Sequence, residues 1–267
     1  MDFRMASTLH KEKALWHVAA ACTVCLLTVN TGMLDGVSTE LGYSHYAEKP
    51  VSWVPSFLAM PCNSMVNLGY ILVGGYWRCQ DNKSVGMKEQ TGQYLKNIFS
   101  WMALIYGPVQ WARIWTQSHY SAVLDQWFTL PIFSWACIWC NAILEKWSMW
   151  QFLAVELFSF ASYFLSLLHP QGFEVALAAH IIWAIVSGLR AQSRYGDALS
   201  MRYLALALTS CLGFVGLKLL DHWLAQWFVF QRFTGHFWSK LCDILQFHYA
   251  FCFLTHLSQK QHFRKKK

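Results

Sequence analysis

The sequence predicts an all-α fold, a polytopic transmembrane bundle of about eight helices. Of its 267 residues, 55% are hydrophobic and only 13% are charged, which is too little charge for the surface of a soluble protein. Eight apolar segments recur along the chain, close to the roughly 20 residues that a helix needs to cross a membrane. Because these segments are long and do not alternate polar with apolar residues, we expect helices rather than membrane strands.

The first apolar segment covers residues 14–33 and predicts an N-terminal transmembrane helix after a cytoplasmic N-terminus of residues 1–13. A cleaved signal peptide is the alternative, but the length of the segment favours an anchor. The other seven segments form a predicted core from residue 54 to residue 257, followed by a basic cytoplasmic tail of residues 258–267. The core segments are residues 54–77, 98–115, 123–143, 149–168, 173–190, 202–220 and 237–257.

Basic residues alternate between the two sets of helix ends. Sixteen of the 21 lysines and arginines fall on one set, namely Arg4, Lys11, Lys13, Arg78, Lys83, Lys88, Lys96, Lys146, Arg190, Arg194, Arg202, Lys260, Arg264, Lys265, Lys266 and Lys267. The other set carries only Lys49 and Arg232. By the positive-inside rule, this asymmetry predicts that both termini are cytoplasmic. The basic tail and the short helices favour the endoplasmic reticulum, the Golgi or vesicle membranes.

Ionisable side chains inside the apolar segments indicate where function is to be sought, because each costs about 2.5–3.5 kcal/mol to insert into a membrane. On the last segment, 100° per residue puts His236, Lys240 and Asp243 on one face, and Lys240 can pair with Asp243. The predicted topology brings a polar cluster together at the non-cytoplasmic end. Its members are Arg113, Asp125, His169, Asp221, His222, His236 and Lys240.

On the seventh segment, Lys218 is in reach of Asp221 and His222 by the same helical spacing. Asn63, Ser64 and Asn67 add a polar motif on the second segment, nearer the middle of the membrane. Two interpretations stay open for all these residues. They form ion pairs and hydrogen bonds that lock helices together, or they form a site in which histidine and aspartate hold a metal or move a proton.

Motifs spread between residues 14 and 257 resemble the vertebrate transmembrane protein 187 family. They read AEKPVSWVPSFLAMPCNSMVN, MALIYGPVQWARIWTQ, AVLDQWFTLPIFSW, LLHPQGFEVALAAH, SCLGFVGLKLLDHWLA and FTGHFWSKLCDILQFHYAF. The resemblance implies a multi-pass membrane protein and assigns no biochemical activity.

The last seven segments also resemble, more distantly, the seven-helix superfamily of alkaline ceramidases and progestin/adipoQ receptors. Three motifs carry this resemblance: PCNSMVN, LDQWFTLP with Asp125, and GHFWSK with His236. The resemblance implies a zinc hydrolase whose metal is held by three histidines. Here Lys240 stands where the second histidine is expected, and no histidine lies between Gln110 and Ile114. A lysine repels a dication, so the resemblance implies a relative that has lost its metal.

Three functions are therefore expected in descending order. The first is a protein without catalytic activity or cofactor that binds membrane lipid or partner proteins. The second is a divergent, zinc-dependent lipid amidase that uses Asp125 and His236 and recruits a further ligand such as His169 or His222. The third is a transporter, although no internal repeat supports it. Nucleic-acid binding is not expected, because the net charge of +7 is explained by cytoplasmic loops that face anionic lipid.

Overall fold

A computed structural model describes residues 3–80, 87–145 and 148–264, with side chains for 12–80, 91–145 and 148–261. These residues form an all-α bundle without strands, which confirms the predicted fold class. Lys83, Lys146 and the last three lysines lie outside them. The helices are α1 Phe3–Asn30, α2 Pro61–Met65, α3 Leu68–Cys79, α4 Met87–Thr116, α5 His119–Leu144, α6 Met149–Ser162, α7 Leu165–Leu168, α8 Gly172–Tyr195, α9 Ala198–Leu219, α10 Asp221–Leu224 and α11 Gly235–Arg264.

Each of the eight apolar segments contains helix in the structure. Five helical stretches in the described part of the chain are long and apolar enough to cross a membrane: Glu12–Asn30, His119–Leu144, Met149–Leu168, Gly172–Tyr195 and Ala198–Leu219. The other three segments correspond to the short α2 and α3 and to the more polar α4 and α11. Both α1 and α11 extend past the predicted segments, towards the two ends of the chain.

Local sequence explains where several of the helices begin. The side chain of Ser118 accepts a hydrogen bond from the backbone N–H of Ser121 at the start of α5. Reciprocal capping boxes start α6, through Ser148 and Gln151, and α9, through Asp197 and Ser200. These caps satisfy backbone donors that the first turn of a helix leaves without partners.

The second segment is broken, where the sequence predicts one continuous helix. The chain turns at Val66 and Asn67 between α2 and α3. The backbone N–H of Asn67 binds the carbonyl of Ser64 at 3.3 Å, and the Lys240 ammonium binds the carbonyl of Asn63 at 3.4 Å. In an unbroken helix that carbonyl would accept from Asn67 instead. Irregular backbone at this depth is tolerated because it is buried inside protein.

Helix α5 is the centre of the bundle, because 72% of the residues in its most apolar 18-residue stretch are buried. It packs on α4, α6 and α8, while α1 packs mainly on α4, and α3 on α4. The most extensive helix–helix contact is between α9 and α11. Consecutive helices α8 and α9 contact each other much less, because α8 packs mainly on α5 and α9 on α11.

The helix ends fall into two groups, as the alternating topology predicts. At one end, here called the site end, the loop of residues 31–60 contacts the last turn of α4 and the first residues of α11. At the opposite end, Asp197 before α9 pairs with Lys260 and His256 of α11. The polar residues predicted to cluster therefore have to be sought at the site end.

Candidate functional site

Arg113 and Asp125 form the ion pair that joins the ends of α4 and α5. The guanidinium Nη1 lies 2.7 Å from Asp125 Oδ2, and its Nη2 donates to the carbonyl of Glu40 at 3.2 Å. Arg113 is buried, and the second oxygen of Asp125, Oδ1, is buried without a hydrogen-bond partner among the described residues. The pair therefore ties the loop to the bundle and leaves one carboxylate acceptor open.

Lys240 and Asp243 share the inner face of α11, but the expected pairing between them is wrong. The Lys240 ammonium donates to Asn67 Oδ1 at 3.0 Å and lies 5.7 Å from the Tyr46 ring centroid. Asp243 instead accepts from the Tyr70 hydroxyl at 2.8 Å. Both side chains point inward, so each finds a partner on the broken second segment rather than on its own helix.

Asp221 also departs from the expected pairing with Lys218. Its Oδ1 accepts the backbone N–H of His236 at 2.7 Å, and its Oδ2 accepts that of Ala47 at 3.0 Å. The carboxylate thus caps the first turn of α11 and fastens the loop at the same time. No hydrogen bond or ion pair to Lys218 is found among the described residues.

The predicted cluster is assembled only in part. Five of its seven members lie at the site end: Arg113, Asp125, Asp221, His236 and Lys240. Lys218 and Asp243 lie beside them. His222 and His169 are exposed, and the Nδ1 atom of His169 accepts from the backbone of Gln171 in its own turn. Neither is positioned as a ligand beside His236.

The polar motif of the second segment is part of the site. Glu48 accepts from the backbone N–H groups of Cys62 and Asn63, both at 2.9 Å, and from the Asn63 side chain at 2.8 Å. Ser64 is fully buried, and its hydroxyl has no partner among the described residues. Glu48 was missed in the sequence because it precedes α2 by a long irregular stretch that no helical spacing relates to it.

Tyr46 and His45 were also missed. The ring of Tyr46 packs on that of His236 with centroids 4.6 Å apart, and His45 lies 5.5 Å from the same ring. Burial, with the positive charges of Arg113, Lys218 and Lys240, lowers the pKa of His45 to about 2. The Nδ1 atom of the same imidazole lies 2.5 Å from Glu40 Oε2, so His45 also contacts a carboxylate of its own loop.

This environment does not fit zinc. Within the described residues, no three His, Cys, Asp or Glu side chains come together as a metal site, whereas a catalytic zinc needs three protein ligands. Asp125 is committed to Arg113 and Asp221 to backbone donors. The charges of Lys218 and Lys240 near His236 also oppose a dication.

A small polar cavity lies inside the cluster. Its volume is about 20 Å³, which by this measure is enough for about one water molecule. Asp125 and Thr129 of α5, Lys218 of α9 and His236 and Lys240 of α11 line it. No hydrogen bond or ion pair of Lys218 occurs within the described part of the chain.

A larger apolar cavity, of about 80 Å³, lies between the same helices α5, α8, α9 and α11. Aliphatic and aromatic side chains form most of its wall, and Gln246 is the amide that faces it. The Gln246 Oε1 atom is buried and has no partner among the described residues. The cavity is partly open at its side.

The other intramembrane acid, Glu156, lies outside this cluster. Its Oε2 is 2.6 Å from His17 Nε2, and His17 Nδ1 is 2.6 Å from the Tyr94 hydroxyl. His180, the other residue near mid-membrane, contacts the Ser159 hydroxyl at 3.0 Å instead. The contacts of His17 join α1, α4 and α6, and the contact of His180 joins α8 to α6.

The family profile of the TMEM187 protein family matches residues 14–255. Two curated relatives are both called transmembrane protein 187. The protein from Bos taurus is 54% identical over 92% of this chain and 96% of its own length. The protein from Homo sapiens is 54% identical over 94% of this chain and 95% of its own length.

No solved structure matches the chain. Neither the family profile nor these relatives support the more distant resemblance to the alkaline ceramidases. Profile and relatives agree with each other over most of the sequence, and with the helical bundle of the structure. The chain belongs to the transmembrane protein 187 family.

Proposed function

We infer that this membrane protein binds a membrane lipid between α5, α8, α9 and α11. The observation that carries the proposal is the stacking of the polar cavity and the apolar cavity between the same four helices. A lipid has the same division, with a polar head and an apolar chain. Binding sites of this kind are mostly apolar with a few placed polar groups.

The two cavities are about one helical turn apart. On α5, Thr129 lines the polar cavity and Ile132 the apolar one; on α9, Phe214 and Cys211 do the same. Three residues of helix correspond to about 4.5 Å along the axis. A head group at Lys218 therefore has its chain directed into the apolar cavity.

The bilayer supplies the route of entry in this proposal. Helices α8 and α9 contact each other sparsely, and the apolar cavity beside them is partly open. A chain that enters between them leaves the hydrocarbon core without crossing water. The head then reaches the polar cavity at the level of the site end.

Transport of an ion through the bundle is less well supported. Four buried aromatic side chains lie between the site end and the opposite end, namely Phe99, Trp139, Phe247 and Phe251. The ring centroid of Phe99 lies 5.1 Å from that of Phe247 and 4.8 Å from that of Phe251. The ring centroids of Trp139 and Phe251 are 6.3 Å apart. Among the described residues, these four rings form an apolar layer between the two ends of the bundle, and an ion would have to cross that layer. A lipid site at one end needs no such path.

The topology and location are part of the proposal. The charge asymmetry supports cytoplasmic termini, a site end on the non-cytoplasmic face and residence in endomembranes. The loop of residues 31–60 then closes the site on the non-cytoplasmic face. Binding of protein partners is a separate expectation that this site neither requires nor excludes.

The test is the lipid that co-purifies with the protein in mild detergent. In Ala184→Phe a ring fills the apolar cavity, which Ala184 lines. In Ala179→Phe the same ring is added on the exposed face of α8. We expect one lipid species to be retained by the wild type and by Ala179→Phe, and to be lost from Ala184→Phe. Identical lipid profiles in all three proteins would overturn the proposal.

A further inference from the structure

The chain that joins α9 to α11 is strongly apolar, although it is too irregular to span a membrane. Residues 219–233, here called the α9–α11 connection, contain the four-residue α10 and a 3-10 helix at Phe228–Phe230. Most of the exposed side chains are large and apolar: Leu219, Leu220, Trp223, Trp227, Phe228, Val229 and Phe233. Phe228 alone is 88% exposed. An apolar patch of this kind marks a surface that binds something other than water.

The aromatic side chains of the connection lie in groups. Trp223 and Trp227 are four residues apart, and their ring centroids are separated by 6.2 Å. The ring of Phe233 lies 5.1 Å from that of Phe237 in the first turn of α11, and Phe237 lies 5.4 Å from the exposed ring of Trp238. Because an indole has an apolar body and an N–H donor, tryptophan fits the boundary between an apolar and a wet environment.

Charge is almost absent from the exposed side of the connection. Asp221 is buried and accepts backbone N–H groups, so His222 and Arg232 are the exposed ionisable residues. The stretch between these two, WLAQWFVFQ, has no ionisable side chain. The other loop at the site end exposes charged side chains of both signs: Asp35, Glu40 and Lys49. The two loops therefore differ in the surroundings that suit them.

The apolar patch is continuous with the lipid-facing side of α9. Helix α9 is long and apolar enough to cross a membrane, and only 33% of its most apolar stretch is buried inside the bundle. Leu212 and Leu219, which are 75% and 79% exposed, are seven residues apart and therefore share one face of the helix. Leu219 ends α9 and begins the connection, so the exposed apolar surface of the helix runs directly into the patch.

We propose that the α9–α11 connection binds the membrane surface, with Trp223, Trp227 and Phe228 inserted between the lipid head groups and the acyl chains at the site end. Segments that carry tryptophan and phenylalanine on one face, and do not span, lie in the plane of the interface in this way. Arg232, at the end of the segment, then lies at the level of the lipid phosphates.

The connection also carries the residue that fastens the loop of residues 31–60. Asp221 accepts the backbone N–H of Ala47 from that loop and the backbone N–H of His236 from α11. A connection embedded in the leaflet therefore holds the loop at the membrane surface. This inference goes beyond the lipid site between the helices and does not depend on it.

The test places the photoreactive residue p-benzoylphenylalanine at one position at a time in the full-length protein, in vesicles of radiolabelled phosphatidylcholine. Leu212 on α9 is the positive control, and Asp35, exposed in the loop, is the negative control. We expect the probe at Phe228 to take up lipid label as the probe at Leu212 does, and the probe at Asp35 to show only background. Label at Leu212 alone, or crosslinking of the Phe228 probe to a protein instead of lipid, would overturn the proposal.

A second measurement compares two charge substitutions in the same segment. Phe228→Glu places a carboxylate where the proposal has acyl chains, whereas Gln226→Glu places one at an exposed position that is already polar. On a surface that faces water, both changes would leave the Tm nearly unchanged. In vesicles we expect a lower Tm for Phe228→Glu than for Gln226→Glu, and equal Tm values would contradict insertion.

The outcomes separate this proposal from the proposed lipid site. Neither measurement alters the apolar cavity, so retention of lipid by the wild type and its loss from Ala184→Phe are expected whichever result the connection gives. The crosslinking comparison decides the question even where Phe228→Glu fails to fold.

Discussion

Replacing Asp221 by asparagine tests whether the loop of residues 31–60 is fastened by a carboxylate. Asp221 is 2% exposed and accepts two backbone N–H groups, one from α11 and one from the loop. Asparagine keeps one acceptor oxygen and turns an amide N–H towards the other donor. A hydrogen bond to a charged group contributes about 1.5–3 kcal/mol, so losing one bond and facing two donors costs about 2–4 kcal/mol.

The assay is thermal unfolding of the purified protein in detergent, followed by tryptophan fluorescence. For a chain of this size, that loss corresponds to a Tm lower by about 5–15 °C. Asp35→Asn is the control, because Asp35 is exposed in the same loop. A Tm of Asp221→Asn equal to that of the control would refute the assigned role of Asp221.

Three further predictions concern packing, the attachment of α1 and metal content. Gly74→Ala would place a Cβ 2.7 Å from the Ser100 carbonyl oxygen, so we expect thermal unfolding to show a loss of stability of about 1–3 kcal/mol. Gly75→Ala is the control, because its Cβ meets open space and the change should be neutral or stabilising. His17→Leu leaves the buried Glu156 without its partner and should lower the free energy of unfolding by about 2–3 kcal/mol. Much of this loss should be recovered in the double variant with Glu156→Met. Equal losses in the single and the double variant would contradict the pairing. Purified protein should contain far less than one zinc per chain and should keep its Tm in the presence of a chelator. One zinc per chain would contradict the conclusion that the environment of His236 does not fit zinc.

The fold was largely predictable because apolar length and charge asymmetry report directly on the bilayer. The inward face of α11 was also predictable, because 100° of rotation per residue places the side chains of Lys240 and Asp243 on the same face of a helix. Their partners were not, because Asn67 and Tyr70 come from a segment 173 residues away in the chain. Helical spacing favours the nearest pairing, but inside a bundle a side chain meets whichever helix faces it.

The loop of residues 31–60 was the least predictable part of the site. Glu48 and Asp221 act on backbone N–H groups rather than on side chains, and no side-chain pattern reports such contacts. The break between α2 and α3 was hidden for a related reason, because the second segment is apolar enough for a continuous helix. At the break, the Asn63 carbonyl is bound by Lys240 of α11. This partner comes from another helix, so the sequence of the second segment alone does not predict it.

The central claim, that a lipid chain lies between α5, α8, α9 and α11, is tested most directly by photocrosslinking in native membranes. The probes are membrane lipids with a diazirine in the acyl chain, and the labelled peptides of the full-length protein are identified by mass spectrometry. We predict labelling at the apolar cavity, reduced by an excess of the same lipid without the diazirine and absent from Ala184→Phe. Labelling spread over lipid-facing surfaces such as Leu27 of α1, and unchanged by competitor, would contradict the claim.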